Sequence, residues 1–390
     1  MRRLCTLLGM PQNRFAPIHV VGTNGKSSVT RMTAALLEAH GVSAGAYLSP
    51  HIHSWRERVM LRGEPIGEGG FVDALERAEQ AAEVADRSAG DEGPVTQYEL
   101  LTAAAFVAFA AARVQYGVIE AGLGGRLDAT NVIPSKLTVL TSVGLDHTEW
   151  LGETLEAIAG EKLDVLRDHT TLIVGEVPGE VEPVIGRELE RRHARLTRVG
   201  VDAGGEQVTY RDRNLALAES ATEQALGRLD ADAVLELQGI TIPGRAQLVP
   251  GEPPEVFDAA HNPDGARALA EALPGLTGDA DVVCCLAVLE GKDAIGIING
   301  LAPACSHFVC TEIPPDAIEG SGRPGGRARP ALELAALCEK AGVGAEAVAD
   351  PLKAWERARE LAVGRRGVAL AAGSHYLLSC IWIERPAQSS

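Results

Sequence analysis

Short apolar, β-branched runs alternate along this chain with longer stretches of helical period. Strands are expected at Ile18–Val21, Val118–Ala121, Leu137–Val143, Thr171–Val174, Val256–Ala259, Val282–Leu286, Phe308–Thr311 and Val368–Ala371. Between them the spacing predicts helices at Ser27–His40, Gly70–Ala85, Glu99–Arg113, Leu155–Leu166, Pro183–His193, Gly265–Leu273, Ala331–Lys340 and Pro351–Leu361. Such alternation predicts parallel sheets flanked by helices. Strands without polar interruption, such as Val282-Val283-Cys284-Cys285-Leu286, suit a sheet covered on both faces. The run from Leu101 to Ala112 is alanine-rich and well short of a membrane span, so it reads as a buried helix.

The pattern is broken at Leu248-Val249-Pro250-Gly251-Glu252-Pro253-Pro254, where prolines and a glycine resist both helix and central strand. The expectation is a domain over 1–250 and a second over 251–390, with 248–254 as the hinge between them. A second irregular stretch, Pro314 to Pro330, is expected to be a surface loop. The fold class is α/β: a mostly parallel sheet carrying a phosphate loop, followed by a smaller Rossmann-like α/β domain.

Composition narrows the function. Acidic residues outnumber basic ones 53 to 36, a formal net charge of −17. So acidic a chain has no general attraction to nucleic acid or anionic membranes, and any phosphate it binds must be held by a local site. Only six of the basic residues are lysine (Lys26, Lys136, Lys162, Lys292, Lys340 and Lys353), which singles those positions out. Seven cysteines without a C-x-x-C pair read as reduced thiols in a cytoplasmic protein. Met1-Arg2-Arg3 is followed by too short an apolar stretch for a signal peptide.

The first chemical motif is Val20-Val21-Gly22-Thr23-Asn24-Gly25-Lys26-Ser27-Ser28, between a strand and a helix. Glycines permit a tight turn, amides at the helix start face an anion, and Lys26 offers a point charge to terminal phosphates. A hydroxyl after the lysine can ligate Mg²⁺. The strict G-x-x-x-x-G-K-[ST] pattern fails at Val20, so a glycine-rich turn without phosphate is the bland alternative. Glu120 ends an apolar strand and leads into Gly122-Leu123-Gly124-Gly125-Arg126-Leu127-Asp128-Ala129-Thr130-Asn131. Strand C-termini are where ligands bind in such sheets, so Glu120 can face a metal at the phosphates. Asp146-His147 follows another strand, and His147 becomes a candidate metal ligand in that company. Lys162 lies in a helix, where a solvated lysine is the ordinary reading.

In this order, Gly22 to Lys26, Ser49-Pro50-His51, Glu57-Arg58-Val59, Glu120 to Asn131, Asp146-His147, Gly160-Glu161-Lys162, Pro243-Gly244-Arg245 and Asp258-Ala259-Ala260-His261-Asn262-Pro263 resemble folylpolyglutamate synthase/dihydrofolate synthase, in the Mur ligase superfamily. The resemblance runs from about Leu7 to Leu378. It implies that Thr23, Asn24, Gly25, Lys26, Ser27 and Ser28 cradle ATP, with Asn214, Arg245 and Asp258 as further nucleotide contacts and Arg245 reaching across the domain junction. It implies Mg²⁺, in two sites, on Ser27, Ser49, Glu120 and His147. Lys162 matches a lysine that is carbamylated in that family. His261 would lie near the nucleotide and glutamate, in a catalytic role with Lys26 and Lys162. Thr96-Gln97-Tyr98-Glu99 and Leu127-Asp128-Ala129 match segments lining a pterin pocket. Lys292-Asp293 and Gly373-Ser374 match later signals more loosely.

The chain departs from that pattern at Lys26-Ser27-Ser28, where a glycine usually follows the lysine. This leaves open which hydroxyl reaches the metal. Leu8-Gly9-Met10-Pro11 also comes earlier than in the family, so the expectation is a late start or a pterin pocket open on one side. The implied activity is ATP-dependent ligation of L-glutamate to a folate-type carboxylate through an acyl phosphate, by a cytoplasmic monomer acting on small molecules. The alternatives are a Mur-type ligase acting on another carboxylate, and a nucleotide-binding ATPase that makes no amide bond.

Overall fold

A computed structural model describes residues 1–87, 93–201, 208–320 and 325–382. The chain forms two compact units, Met1–Ile240 and Thr241–Ser390.

The first unit is built on an eight-stranded sheet. Its strands are β1 (Ala16–Val21), β2 (Ala44–Tyr47), β3 (Val59–Leu61), β4 (Glu64–Pro65), β5 (Tyr116–Glu120), β6 (Leu137–Leu140), β7 (Thr171–Val174) and β8 (Arg195–Arg198). They lie in the order β4-β3-β2-β5-β1-β6-β7-β8. Every pairing from β2 to β8 is parallel, and β3 and β4 add an antiparallel edge. β1 is therefore central, with the ends of β5 and β6 on either side of its own. After β1 the chain feeds strands to one side, through β2 and β5, and then to the other, through β6. That reversal is where open α/β sheets bind ligands.

Both faces are covered. On one, Ile18, Val20, Val118 and Val139 pack with Val29 and Leu37 of the helix Lys26–Ala39 and with Leu217 and Ala221 of the helix Tyr210–Leu226. On the other, Tyr47 and Ile119 pack with Phe106 and Phe109 of the helix Gln97–Ala112. Each of the valine, leucine, isoleucine and phenylalanine side chains contributes roughly 1.5–3 kcal/mol by leaving water. The helix Gln97–Ala112 starts at a capping box, with the Thr96 hydroxyl accepting from the Glu99 amide and the Glu99 carboxylate accepting from the Thr96 amide.

The second unit carries β9 (Gln247–Val249), β10 (Glu255–Phe257), β11 (Val282–Leu286), β12 (His307–Cys310), β13 (Gly344–Ala347) and β14 (Val368–Ala372). Their order is β13-β12-β11-β14-β10-β9, parallel except for the β9–β10 pair. That exception revises the reading of 248–254. Leu248 pairs with Val256 and Val249 with Glu255, so the proline-rich stretch links two hairpin strands inside the second unit. The compact units divide earlier, at Ile240/Thr241. A segment tied at both ends to one ladder cannot serve as a hinge.

Part of the expected loop 314–330 is a helix, Pro315–Gly320; residues 321–324 lie outside the described residues, and Ala328 forms a bridge to Leu289. All seven cysteines are free thiols. The Cys310 and Cys338 sulfurs are 3.7 Å apart, well beyond bonding distance. Among the described residues no helix is long and apolar enough to cross a membrane.

Candidate active site

The end of β1 is held by the two residues that follow β6. The Thr141 and Ser142 hydroxyls donate to the Asn24 carbonyl at 2.6 and 3.0 Å, and the Asn24 amide donates to the Ser142 oxygen at 2.9 Å. Thr23 and Gly144 exchange hydrogen bonds through the threonine hydroxyl. The turn then passes through Gly25 at φ 85°, left-handed backbone that suits glycine, and enters the helix at Lys26. A Cβ on Gly25 would lie 2.5 Å from Asn214 Oδ1, so the bare glycine also makes room for this buried amide.

Two ammonium groups converge on the turn. Lys26 Nζ donates to the carbonyls of Gly22 and Thr23, both at 3.1 Å. Lys162, only 4% exposed, donates to the same Gly22 carbonyl at 2.9 Å. Burial, and then the Lys26 charge, pull the Lys162 pKa down to about 7; Asp146 and Asp128 act the other way. Lys162 is therefore no solvated helix residue.

The carboxylate at the end of β5 meets the same turn. Glu120, 1% exposed, accepts from Ser27 Oγ at 2.9 Å and from the Ser49 amide at 3.1 Å. Ser28 is buried in the helix start. The hydroxyl on the carboxylate side is therefore that of Ser27. His147 follows β6 at φ 51°, with its ring nitrogens 4.0 Å from Asp146 Oδ2 and Glu149 Oε1. Among the described residues no three His, Cys, Asp or Glu side chains converge as a metal cluster. A metal here would draw on a mixed set of carboxylate and hydroxyl oxygens, the donors that suit Mg²⁺.

The loop after β5 closes on Asp128. Its Oδ2 accepts from the Gly122 and Leu123 amides at 3.0 and 2.9 Å, and its Oδ1 from the Thr130 amide and hydroxyl. Gly125 lies against the helix Leu155–Leu163 that carries Lys162, and Arg126 pairs with Glu161 at 2.7 Å. Leu127 is 87% exposed on this loop, and Leu145 and Trp150 are exposed on the segment after β6. Of the other expected pterin residues, Thr96 and Glu99 cap their helix, Gln97 is exposed and Ala129 is buried. The Tyr98 hydroxyl faces Gly122, and burial with the nearby Asp128 carboxylate pushes its pKa well up.

Beside this lies the Ser49-Pro50-His51 segment. Arg58 Nε donates to His51 Nδ1 at 3.0 Å and its guanidinium covers the Trp55 ring, while the Glu57 carboxylate accepts from the amides of residues 52, 53 and 54.

In the second unit, Asp258 follows β10 and accepts from the Ala246 and Ala260 amides, both at 2.7 Å. This fixes the segment bearing Arg245 beside it. His261 Nδ1 lies 2.9 Å from the Ala259 carbonyl. Asp293 and Ser374, also noted in the sequence, cap the helices Ala294–Leu301 and His375–Ile381. The clasp of Thr141 and Ser142 on the turn escaped sequence reading; its one signal was hydroxyl residues directly after an apolar strand.

Residues 20–226 match the Mur ligase middle domain, and residues 244–375 match the Mur ligase glutamate ligase domain. The chain belongs to the Mur ligase family. This Mur ligase is similar to the dihydrofolate synthase/folylpolyglutamate synthase of Mycobacterium tuberculosis, at 35% identity over 79% of this chain and 72% of the relative. A crystal structure of Mycobacterium tuberculosis folylpolyglutamate synthase complexed with ADP and AMPPCP superposes with a TM-score of 0.87 at 31% identity, covering 97% of this chain and 93% of that one. A bifunctional folylpolyglutamate synthase/dihydrofolate synthase with Mn, AMPPNP and L-glutamate bound gives 0.81 at 27% identity, covering 97% and 92%.

Proposed function

We propose that this Mur ligase joins L-glutamate to a folate-type carboxylate with ATP as the activating substrate. The carrying observation is the pair of lysines on the Gly22 carbonyl. Two ammonium groups on one oxygen repel each other, and burial amplifies the repulsion. An anion entering beside them, or loss of the Lys162 charge, relieves that repulsion. A triphosphate supplies the first condition. With its pKa drawn down to about 7, Lys162 reaches the second condition near neutral pH, and the free amine can then take up carbon dioxide as a carbamate.

The steps follow from the groups present. Direct condensation of a carboxylate with an amine is unfavourable in water, so the acid is first phosphorylated by ATP, giving an acyl phosphate and ADP. Lys26 and the turn amides hold the transferring phosphoryl group, and that charge stabilisation is the main demand of the step. The α-amine of glutamate then attacks, and the tetrahedral adduct expels phosphate. Glu120, Ser27, Ser49 and His147 would hold Mg²⁺, in two sites with a carbamylated Lys162, and the metal would neutralise charge on the phosphates. The family resemblance assigns Asn214, Arg245 and Asp258 to the nucleotide and His261 to the glutamate. Leu123 and Leu127 on the Asp128 loop, and Leu145 and Trp150 after β6, are the exposed apolar side chains offered to a flat pterin.

The test is the product. Incubation with ATP, glutamate and dihydropteroate or tetrahydrofolate is expected to add one glutamyl residue by mass. An acceptor carboxylate labelled with heavy oxygen is expected to pass one label to the released phosphate. An unlabelled phosphate would rule out the acyl phosphate.

A further inference from the structure

β1 is apolar on the face that meets the helix Lys26–Ala39, through Ile18 and Val20, while His19 points to the opposite face. His19 is fully buried, and its Nε2 lies 2.9 Å from Thr130 Oγ1. Its Nδ1 is buried with no hydrogen-bond partner among the described residues. An apolar side chain would leave no polar atom stranded there, so the other ring nitrogen has to account for the histidine.

The proton inventory fixes the direction of that contact. The Asp128 carboxylate only accepts, so the Thr130 hydroxyl spends its one proton on Asp128 Oδ1. Thr130 must then accept from His19, whose Nε2 carries the proton. The remaining Asp128 lone pairs take the Thr130, Gly122 and Leu123 amides. We infer that His19 is a positioning residue for the loop 122–130: Nε2–H orients the Thr130 hydroxyl, and that hydroxyl orients Asp128 as the knot that ties Gly122 and Leu123 down. Burial, and then the Arg167 charge, push the His19 pKa down to about 3, so the imidazole stays neutral in working conditions. Arg167 grips the same loop further along, donating to the Asn131 carbonyl and side chain and to the Ile133 carbonyl. The phosphate turn has its own clasp in Thr141 and Ser142, so the relay serves the loop rather than the nucleotide.

That this loop receives the pterin acceptor rests on the function proposed above, and the experiment separates the two claims. The full chain is compared with His19→Leu, His19→Gln and Thr130→Val. Glutamine places an amide N–H near the Nε2 position; leucine and valine break the relay, and Thr130→Val does so without touching β1. Amide hydrogen exchange at Gly122 and Leu123 in the free protein is expected to speed up about tenfold or more in His19→Leu and Thr130→Val, and to return toward wild type in His19→Gln. KM for the pterin acceptor is expected to rise by about tenfold or more in the same two variants, with KM for ATP within about twofold. Unchanged exchange in Thr130→Val overturns the positioning role, as does an equal rise in both KM values. Faster exchange in a protein whose wild type uses no pterin acceptor upholds the relay and refutes the proposed function instead.

Discussion

Lys162 sits 4% exposed on the Gly22 carbonyl with a pKa near 7, against the 10.5 of a free lysine. The folded state releases this proton near pH 7 while the unfolded state keeps it to about pH 10.5. Between those values the unfolded state binds more protons, so this group makes stability rise with pH; below about 7 the folded state bears the full cost of a buried charge. Lys162→Met removes that cost. Its melting temperature is expected to exceed the wild-type value most at about pH 6 and to approach it by about pH 10. A gap that stays constant with pH would mean the amine is solvated. The same residue has a chemical signature: Lys162→Ala is expected to lose ligation by about a hundredfold or more and to regain part of it with added formate or acetate. Full activity in that variant would remove Lys162 from the reaction.

At the scale of elements, the loop after β5 and the helix Leu155–Leu163 act as one piece. A Cβ on Gly125 would fall 2.7 Å from the Glu161 carbonyl and 2.8 Å from that of Lys162. Gly125→Ala is expected to destabilise the fold by about 1–3 kcal/mol. It should also weaken acceptor binding more than ATP binding, as titrations of each ligand would read; an equal effect on both would uncouple this contact from the loop. Much of this level was legible beforehand. Thr171–Val174, Val282–Leu286 and the helix Ala331–Lys340 fall where the apolar period put them. Ala44–Tyr47 was missed because Ala-Gly-Ala-Tyr carries almost no strand signal, and β2 is placed by the partners on either side. The helix Tyr210–Leu226 was missed because half of its apolar residues are alanine, although Thr209 and Asp212 spell a capping box and Asn214 follows two residues after it. At the site, the phosphate-loop motif and the strand end singled out Lys26 and Glu120, and the scarcity of lysine with the family resemblance singled out Lys162. His19 stayed hidden, since a polar residue inside an apolar strand gains its meaning only from Thr130, 111 residues away.

Over the whole molecule, a net charge of −17 opposes the approach of ATP, glutamate and folates, all of them anions. Binding must then come from short-range groups, and Lys26 with the amides of the turn is the set proposed for it. The measurement that bears most directly on this account is ADP release at fixed ATP, with acceptor and glutamate each present or withheld. Release is expected only when a pterin carboxylate is supplied, with sustained turnover only when glutamate is present as well. ADP release at one rate in all four mixtures would contradict the account and leave a nucleotide hydrolase.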